Sequence, residues 1–147
     1  MLIVCPHCLK ANRVPVERPA LAARCGACAK PLFERHPHEI DAVAFNRHRE
    51  AGEIPLLLDV WAPWCGPCRA MAPQFEKAAA LRPEYRFAKV DVDAELLLAR
   101  RFGISSIPTL LVLRDGEPVA AQAGVVAAEQ LVEALDRLAA PPTQAAA

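Results

Sequence analysis

The spacing of apolar residues changes along the chain, and from residue 39 onward it follows regular secondary structure. Residues 55–62 form an almost continuous apolar run, which is typical of a strand buried on both faces of a sheet. Residues 86–92 alternate between apolar and polar positions, as a strand does. Residues 108–123 predict two strands that form a hairpin, because the dipeptide Asp115-Gly116 suits a tight turn.

In the segments between and around these strands, apolar residues recur with the period of a helix. We predict four helices, at residues 39–51, 66–82, 94–102 and 127–139. In the third helix the residues placed on the inward face are Ala94, Leu97, Leu98 and Phe102. The order helix, strand, helix, strand, helix, strand, strand, helix predicts an α/β fold with a mixed central sheet and helices on both faces.

The first 30 residues differ from the rest in composition. They are rich in Pro, Gly and Cys, and they hold too few apolar residues to build a core without a covalent or metal crosslink. Pro31 and Pro37 interrupt any helix in the stretch that follows. We predict four segments: a small ribbon at 1–30, a linker at 31–38, the larger domain at 39–140 and a disordered tail at 141–147.

Composition narrows the function classes. The chain has 147 residues and a formal net charge of zero, so nothing indicates a nucleic-acid or membrane partner. No apolar stretch approaches the roughly 20 residues of a membrane helix, and the first ten residues lack the features of a signal peptide. We therefore expect a cytoplasmic protein, in which a Cys-x-x-Cys pair is metal-binding or catalytic rather than a structural bridge.

Two of the three Cys-x-x-Cys pairs have the spacing of a zinc site. Cys5 and Cys8, then Cys25 and Cys28, give the pattern C-x2-C-x16-C-x2-C. Two such turns can face each other and offer four thiolates to one tetrahedral zinc ion. Two disulfides or two further redox pairs are the alternatives. Histidines that could replace a thiolate ligand lie nearby, at His7, His36 and His38.

The third pair has a different context. Cys65 follows a buried strand and opens a helix, where unpaired N–H groups and the helix dipole lower a thiol pKa. Cys68 lies one turn further on and can close a disulfide with it. Pro67 suits the first turn of a helix, and Gly66 leaves the approach to Cys65 open. These features predict a redox site with one attacking and one resolving sulfur.

The residues around this pair resemble the thioredoxin family. The resemblance rests on VWAPWCGPCRAMAP at the pair, on the distant GISSIPTLLVLRDGE, and on the order of elements over about residues 39–139. The four-cysteine ribbon is similar to the extension carried by the bacterial thioredoxin 2 subtype. The expected fold is therefore a thioredoxin fold preceded by a small zinc ribbon.

The resemblance implies a role for each matching residue. Cys65 corresponds to the attacking thiol and Cys68 to the resolving thiol. Asp59, in an apolar strand that should raise its pKa, corresponds to the carboxylate that takes the proton of Cys68; a structural pairing with Lys89, which corresponds to the family's nearby lysine, is the alternative. The resemblance implies a cis peptide bond before Pro108. The substrate-binding residues it implies are Trp64, Gly66, Pro67, Ile107, Pro108 and Gly124.

The function implied is that of a cytoplasmic protein-disulfide reductase. Its partners would be proteins with disulfides and an NADPH-dependent flavoprotein reductase, and the chain itself would bind no flavin or nicotinamide. The zinc site would be structural or redox-responsive. Two rival interpretations remain: an oxidising or isomerising enzyme on the same fold, which the Gly-Pro dipeptide between the cysteines argues against, and a zinc-dependent interaction module that uses the fold only as a scaffold.

Overall fold

The computed structural model describes residues 1–138, so the tail predicted at 141–147 lies outside the described residues. No helix in this part of the chain is long and apolar enough to cross a bilayer. In chain order the elements are β1 (Leu2–Val4), β2 (Ala11–Arg13), a short 3-10 helix (Ala20–Ala22), β3 (His38–Glu39), α1 (Ala42–Ala51), β4 (Leu56–Trp61), α2 (Gly66–Leu81), β5 (Arg86–Asp91), α3 (Leu96–Arg101), β6 (Thr109–Arg114), β7 (Glu117–Ala123) and α4 (Ala128–Leu138).

The larger domain is built on a mixed five-stranded sheet in the order β3-β5-β4-β6-β7. Strands β3 and β4 run parallel to β5, whereas β6 is antiparallel to both β4 and β7. Because side chains alternate along a strand, Leu57 packs with Phe75 of α2 and Leu135 of α4 on one face. Leu58 packs with Phe45 of α1 on the other face, where α3 also lies. The predicted fold class, a mixed sheet with helices on both faces, is confirmed.

Two of the predicted helices are wrong in detail. The first helix begins at Ala42 rather than at residue 39, because Asp41 caps it by accepting the N–H of Ala44 at 2.8 Å. Glu39 belongs instead to the two-residue strand β3, which pairs with β5. The third helix begins at Leu96 rather than at residue 94, so Ala94 lies in the preceding turn, where it is exposed. Within this helix Leu97 is 79% exposed and does not face the core, although Leu98 does.

The ribbon consists of a small hairpin, β1–β2, and two turns of the same design. In the first turn the N–H of Cys5 donates to the carbonyl of Lys10 at 2.9 Å, and in the second the N–H of Cys25 donates to the carbonyl of Lys30 at 2.9 Å. Each turn contains a residue with a φ of 66° in the left-handed region, Leu9 and Ala29 respectively. The repeated geometry points the cysteines of both turns toward each other.

The segment predicted as a solvated linker, 31–38, is in part the core of the ribbon. Leu32 is fully buried and Phe33 is nearly so, packed against a small apolar cluster that includes Ile3 and Val14. Removing the apolar surface of these two side chains from water lowers the free energy of the folded state. The segment therefore folds back onto the ribbon.

A buried arginine joins the ribbon to the sheet. Arg86, at the start of β5, is 3% exposed, and its Nη2 donates to the carbonyl of Val4 at 3.0 Å and to that of Leu32 at 2.8 Å. The guanidinium also lies 5.0 Å from the centre of the Phe33 ring. Burial lowers the pKa of Arg86 to about 10, so the group stays charged at neutral pH. One side chain thus fixes both ends of the ribbon to the sheet.

Replacing Arg86 with Met should loosen this junction. The variant Arg86→Met keeps an apolar stem but leaves two buried carbonyls without a donor, so we expect a loss of about 2 kcal/mol in the free energy of unfolding. Arg100→Met is the matched control, since Arg100 is exposed in α3. Chemical denaturation measures both variants, and equal stability of the two would contradict the role of Arg86.

Candidate functional site

The Cys65–Cys68 pair lies where β4 ends and α2 begins. Cys65 is the N-cap of α2, and its Sγ accepts the N–H of Cys68 at 3.2 Å. The two side chains form a disulfide, and their Cα atoms are 5.3 Å apart. A sulfur at this position faces the unpaired N–H groups and the positive end of the helix dipole, both of which stabilise a thiolate after reduction. The predicted helix-opening context of Cys65 is confirmed.

The loop that leads into β6 lies beside the pair. The Ile107–Pro108 peptide bond is cis, as the resemblance implied, and the Ile107 carbonyl lies 3.8 Å from the Cys65 Sγ. The N–H of Gly124 donates to the carbonyl of Pro108 at 2.9 Å. Gly124 has a φ of +90° and free space where a Cβ would stand. The backbone of residues 107 and 108 and the open surface at Gly124 therefore lie beside the disulfide.

The surface around the disulfide is open and aromatic. Trp64 is 67% exposed, and its Nε1 donates to Asp93 at 2.8 Å, which fixes the ring beside the pair. Gly66 has no heavy atom within 4 Å of the place where a Cβ would stand. Trp61 is half-buried and donates to Glu39 at 3.0 Å. Trp64, rather than Trp61, is the tryptophan available for contact with another protein.

Asp59 is a buried carboxylate in β4, the strand that leads to the Cys65–Cys68 pair. It is 1% exposed, and neither carboxylate oxygen has a hydrogen-bond partner. By strand alternation it shares the face of Leu57, on which α2 packs. Burial raises the pKa of Asp59 to about 6; the positive charge of Lys89 opposes this shift and the negative charge of Glu39 adds to it. A group that titrates near neutral pH can take up and release a proton.

The alternative interpretation of Asp59, a structural pairing with Lys89, has no direct contact to support it. The two residues are neighbours in the register of β4 and β5, yet neither oxygen of Asp59 has a hydrogen-bond partner. The Nζ of Lys89 lies 4.9 Å from the centre of the Trp61 ring instead. Lys89 therefore acts on Asp59 through its charge.

Glu39 and Asp93 are two contributors that the sequence analysis missed. Glu39 adds negative charge near Asp59 and accepts the Trp61 N–H, and Asp93 holds Trp64. Glu39 lies in a two-residue strand, too short for any periodic signal. Asp93 follows β5 in a turn, where an acidic residue is ordinarily only a solvated group.

The four remaining cysteines form one compact cluster. All four sulfur atoms lie within 4.8 Å of one another. The Sγ atoms of Cys5 and Cys28 are 3.7 Å apart, and those of Cys8 and Cys25 are 3.6 Å apart. Four thiolates at the usual Zn–S distance stand roughly 3.8 Å apart around a tetrahedral zinc ion, so the cluster fits such an ion. These distances favour one metal site over two disulfides.

Hydrogen-bond donors around the four cysteine sulfurs also favour a metal site. The backbone N–H groups of His7 and Ala27 each point at a cysteine sulfur at 3.4 Å, as donors to thiolates do. Asn12 donates to the Cys25 sulfur at 3.5 Å and accepts the N–H of Gly26 at 2.9 Å. The imidazoles of His7, His36 and His38 lie outside the cluster, around Glu34.

A dithiol at a helix N-terminus, a buried carboxylate in the strand before it and a cis-proline loop beside it define a thiol–disulfide oxidoreductase on this fold. A family model described as Thioredoxin matches residues 36–137, and one described as Thioredoxin 2, N-terminal, matches residues 4–30. The chain belongs to the thioredoxin family, and its activity is that of a protein-disulfide reductase.

Individual relatives agree with this assignment. Thioredoxin C-3 of Corynebacterium nephridii is 38% identical over 137 residues, which cover 93% of this chain and 94% of that protein. The thioredoxin of Bacillus subtilis (strain 168) is 42% identical over 89 residues, which cover 60% of this chain and 86% of that protein. The solved structure of the Malassezia sympodialis thioredoxin superposes with a TM-score of 0.66 at 28% identity, covering 74% of this chain and 95% of that one.

Proposed function

We propose that the chain is a cytoplasmic reducing thioredoxin that an NADPH-dependent flavoprotein reductase recharges, and that it carries one zinc ion on its ribbon. The observation that carries the proposal is the Cys65–Cys68 disulfide at the start of α2, bordered by Pro108 and by the exposed ring of Trp64. A disulfide of another protein can reach this surface as an extended segment.

The first chemical step belongs to Cys65. In the reduced chain its thiolate, stabilised by the N-terminus of α2, attacks one sulfur of the substrate disulfide. The substrate S–S bond breaks, a mixed disulfide forms on Cys65, and the departing substrate thiolate takes a proton from solvent. The backbone at Ile107 and Pro108 lies within reach of the substrate segment during this step.

The second step belongs to Cys68 and Asp59. Asp59 is ionised in most molecules at neutral pH, because its pKa of about 6 lies below 7. It accepts the proton of Cys68 through water, and the Cys68 thiolate attacks Cys65. The mixed disulfide breaks, the second substrate thiolate leaves and is protonated, and the Cys65–Cys68 disulfide forms. The substrate gains two electrons and the chain loses two.

Cys5, Cys8, Cys25 and Cys28 would hold the zinc ion, which supplies a crosslink to the ribbon and no step of the reduction. Because the ribbon has only a small apolar cluster, metal binding should contribute much of its folding free energy. A redox-responsive role is the second candidate, since Cys8 is exposed and accessible to oxidants whereas Cys5 and Cys25 are buried. Zinc release by peroxide that alters activity or partner choice would favour that role.

A coupled assay, run with and without zinc, tests the proposal. NADPH, a bacterial flavoprotein reductase and a model protein disulfide are mixed with the chain, and NADPH consumption is followed. We expect turnover that depends on the chain, and chelation of zinc should change the rate by less than about twofold, because the larger domain has its own core. Circular dichroism should show loss of ribbon structure over the same titration.

The outcomes separate the parts of the proposal. Turnover with dithiothreitol but not with the flavoprotein reductase would support the disulfide-reducing activity and contradict the proposal that such a reductase is the partner. Loss of activity in parallel with zinc would contradict a purely structural ribbon.

A further inference from the structure

Three of the four histidines of the chain surround one carboxylate outside the cysteine cluster. The Nε2 of His7 is hydrogen-bonded to Oε1 of Glu34, and the Nε2 of His38 lies 3.6 Å from the same oxygen. The Nε2 of His36 lies 3.2 Å from the other oxygen, Oε2. His36 and His38 follow Glu34 by two and four residues, and His7 reaches the same carboxylate from the first ribbon turn, 27 residues earlier. A surface that only needs to be soluble does not require His7 to meet the other three side chains.

His38, whose side chain is 14% exposed, has a ring nitrogen without a hydrogen-bond partner. The Nε2 of His38 is inaccessible to solvent and makes no hydrogen bond. The Glu34 carboxylate lies 3.6 Å from this nitrogen, and imidazole and carboxylate groups both bind metal ions.

The spacing suits a metal ion after a small adjustment. Nitrogen and oxygen ligands of a tetrahedral zinc ion stand roughly 3.4 Å apart, which is close to the distances from Glu34 to His36 and to His38. His7, now hydrogen-bonded to Glu34 at 2.5 Å, would have to move away from that oxygen. The group is looser than the cysteine cluster, whose sulfurs all lie within 4.8 Å. Because the His36 side chain is 56% exposed, it is free to rotate inward.

We propose that His7, Glu34, His36 and His38 bind a second divalent transition-metal ion, separate from the ion of the cysteine cluster. Three imidazoles and one carboxylate favour borderline ions such as Zn²⁺, Co²⁺ and Ni²⁺ over Mg²⁺ and Ca²⁺, which prefer oxygen ligands. Since His7 belongs to the ribbon and His38 pairs with β5 in the sheet, the ion links the two parts of the molecule. Binding should therefore stabilise their junction.

Cobalt titration of the untagged full chain tests this site. The protein is prepared with one equivalent of zinc in the ribbon and with Cys65–Cys68 in the disulfide form, so that no free thiol competes. Co²⁺ is then added, and bound metal is counted by equilibrium dialysis while the absorption spectrum is recorded. We expect a second equivalent to bind with d–d absorption but without the thiolate-to-cobalt charge-transfer band, and the melting temperature to rise.

Variants identify the ligands. Glu34→Gln and His36→Gln should each weaken the binding of the second equivalent at least tenfold while the zinc in the ribbon stays bound. Glu50→Gln is the matched control, because Glu50 is exposed on α1 outside the group. Circular dichroism checks that each variant is folded. Binding of only one metal ion by the unaltered chain would overturn the proposal, as would a second ion that Glu34→Gln and His36→Gln bind as well as Glu50→Gln does.

Discussion

Replacing Cys65 with Ser should lower protein-disulfide reduction by on the order of a thousandfold or more, because the hydroxyl at the start of α2 cannot attack a disulfide. The ribbon would still offer four thiols, but none of them caps a helix as Cys65 does. The rate is measured with dithiothreitol as the electron source, so that no partner protein enters the result. Full activity in Cys65→Ser would contradict the assignment of the attacking sulfur.

Cys68→Ser should fail in a different way. Its Cys65 still attacks, but nothing resolves the product, so a mixed disulfide with the substrate should accumulate and be visible by mass spectrometry without reductant. Cys28→Ser is the control for losing any cysteine: it removes one ligand of the proposed zinc site and should reduce disulfides at nearly the unaltered rate. If Cys65→Ser and Cys68→Ser accumulate equal amounts of mixed disulfide, Cys65 is not the attacking sulfur and Cys68 is not the resolving sulfur.

Replacing Asp59 with Asn should stabilise the oxidised fold at neutral and alkaline pH. The pKa of Asp59 is about 6 in the folded chain, against 3.8 as the ordinary value. As pH rises between these values, the unfolded chain loses its proton first, so folding becomes less favourable; above pH 6 the cost is full, about 3 kcal/mol. The Asn amide, buried at the same position without hydrogen-bond partners, still has part of this desolvation cost. We expect Asp59→Asn to gain about 2 kcal/mol at pH 8 and almost nothing at pH 4.

The same variant should be slower in catalysis near neutral pH, with mixed disulfide accumulating, because Asn cannot accept the proton of Cys68. Denaturation at both pH values and the rate of resolution are measured together. Asp115→Asn, in the exposed turn between β6 and β7, is the control and should change neither. A loss of stability with unchanged kinetics would support a structural carboxylate instead.

Strands and helices with a strong period could be predicted from the sequence, and those without one could not. The apolar run before Cys65 gave β4, and Asp115-Gly116 gave the hairpin turn, whose two residues have φ values of 53° and 81°. Strand β3 has only two residues and exists because β5 offers an unpaired edge, which is a tertiary effect. Leu97 was misplaced because a six-residue helix with three consecutive leucines fits more than one face.

The chemistry of the site could also be predicted only in part. Spacing alone separated the cysteines of the ribbon from Cys65 and Cys68, and the apolar neighbours of Asp59 anticipated its raised pKa. The cis bond before Pro108 followed from the resemblance and not from the residues themselves. Glu34 had no signal, because His7 reaches it from a turn 27 residues earlier in the chain.

The most direct test of the account is a single-turnover reaction between the reduced, zinc-loaded chain and an excess of a model protein disulfide. Peptide mapping by mass spectrometry then shows which cysteines were oxidised while the substrate was reduced. We predict one Cys65–Cys68 disulfide for each substrate disulfide opened, with the four ribbon cysteines unchanged. Substrate reduction accompanied by disulfides among Cys5, Cys8, Cys25 and Cys28, with Cys65 and Cys68 still reduced, would contradict it.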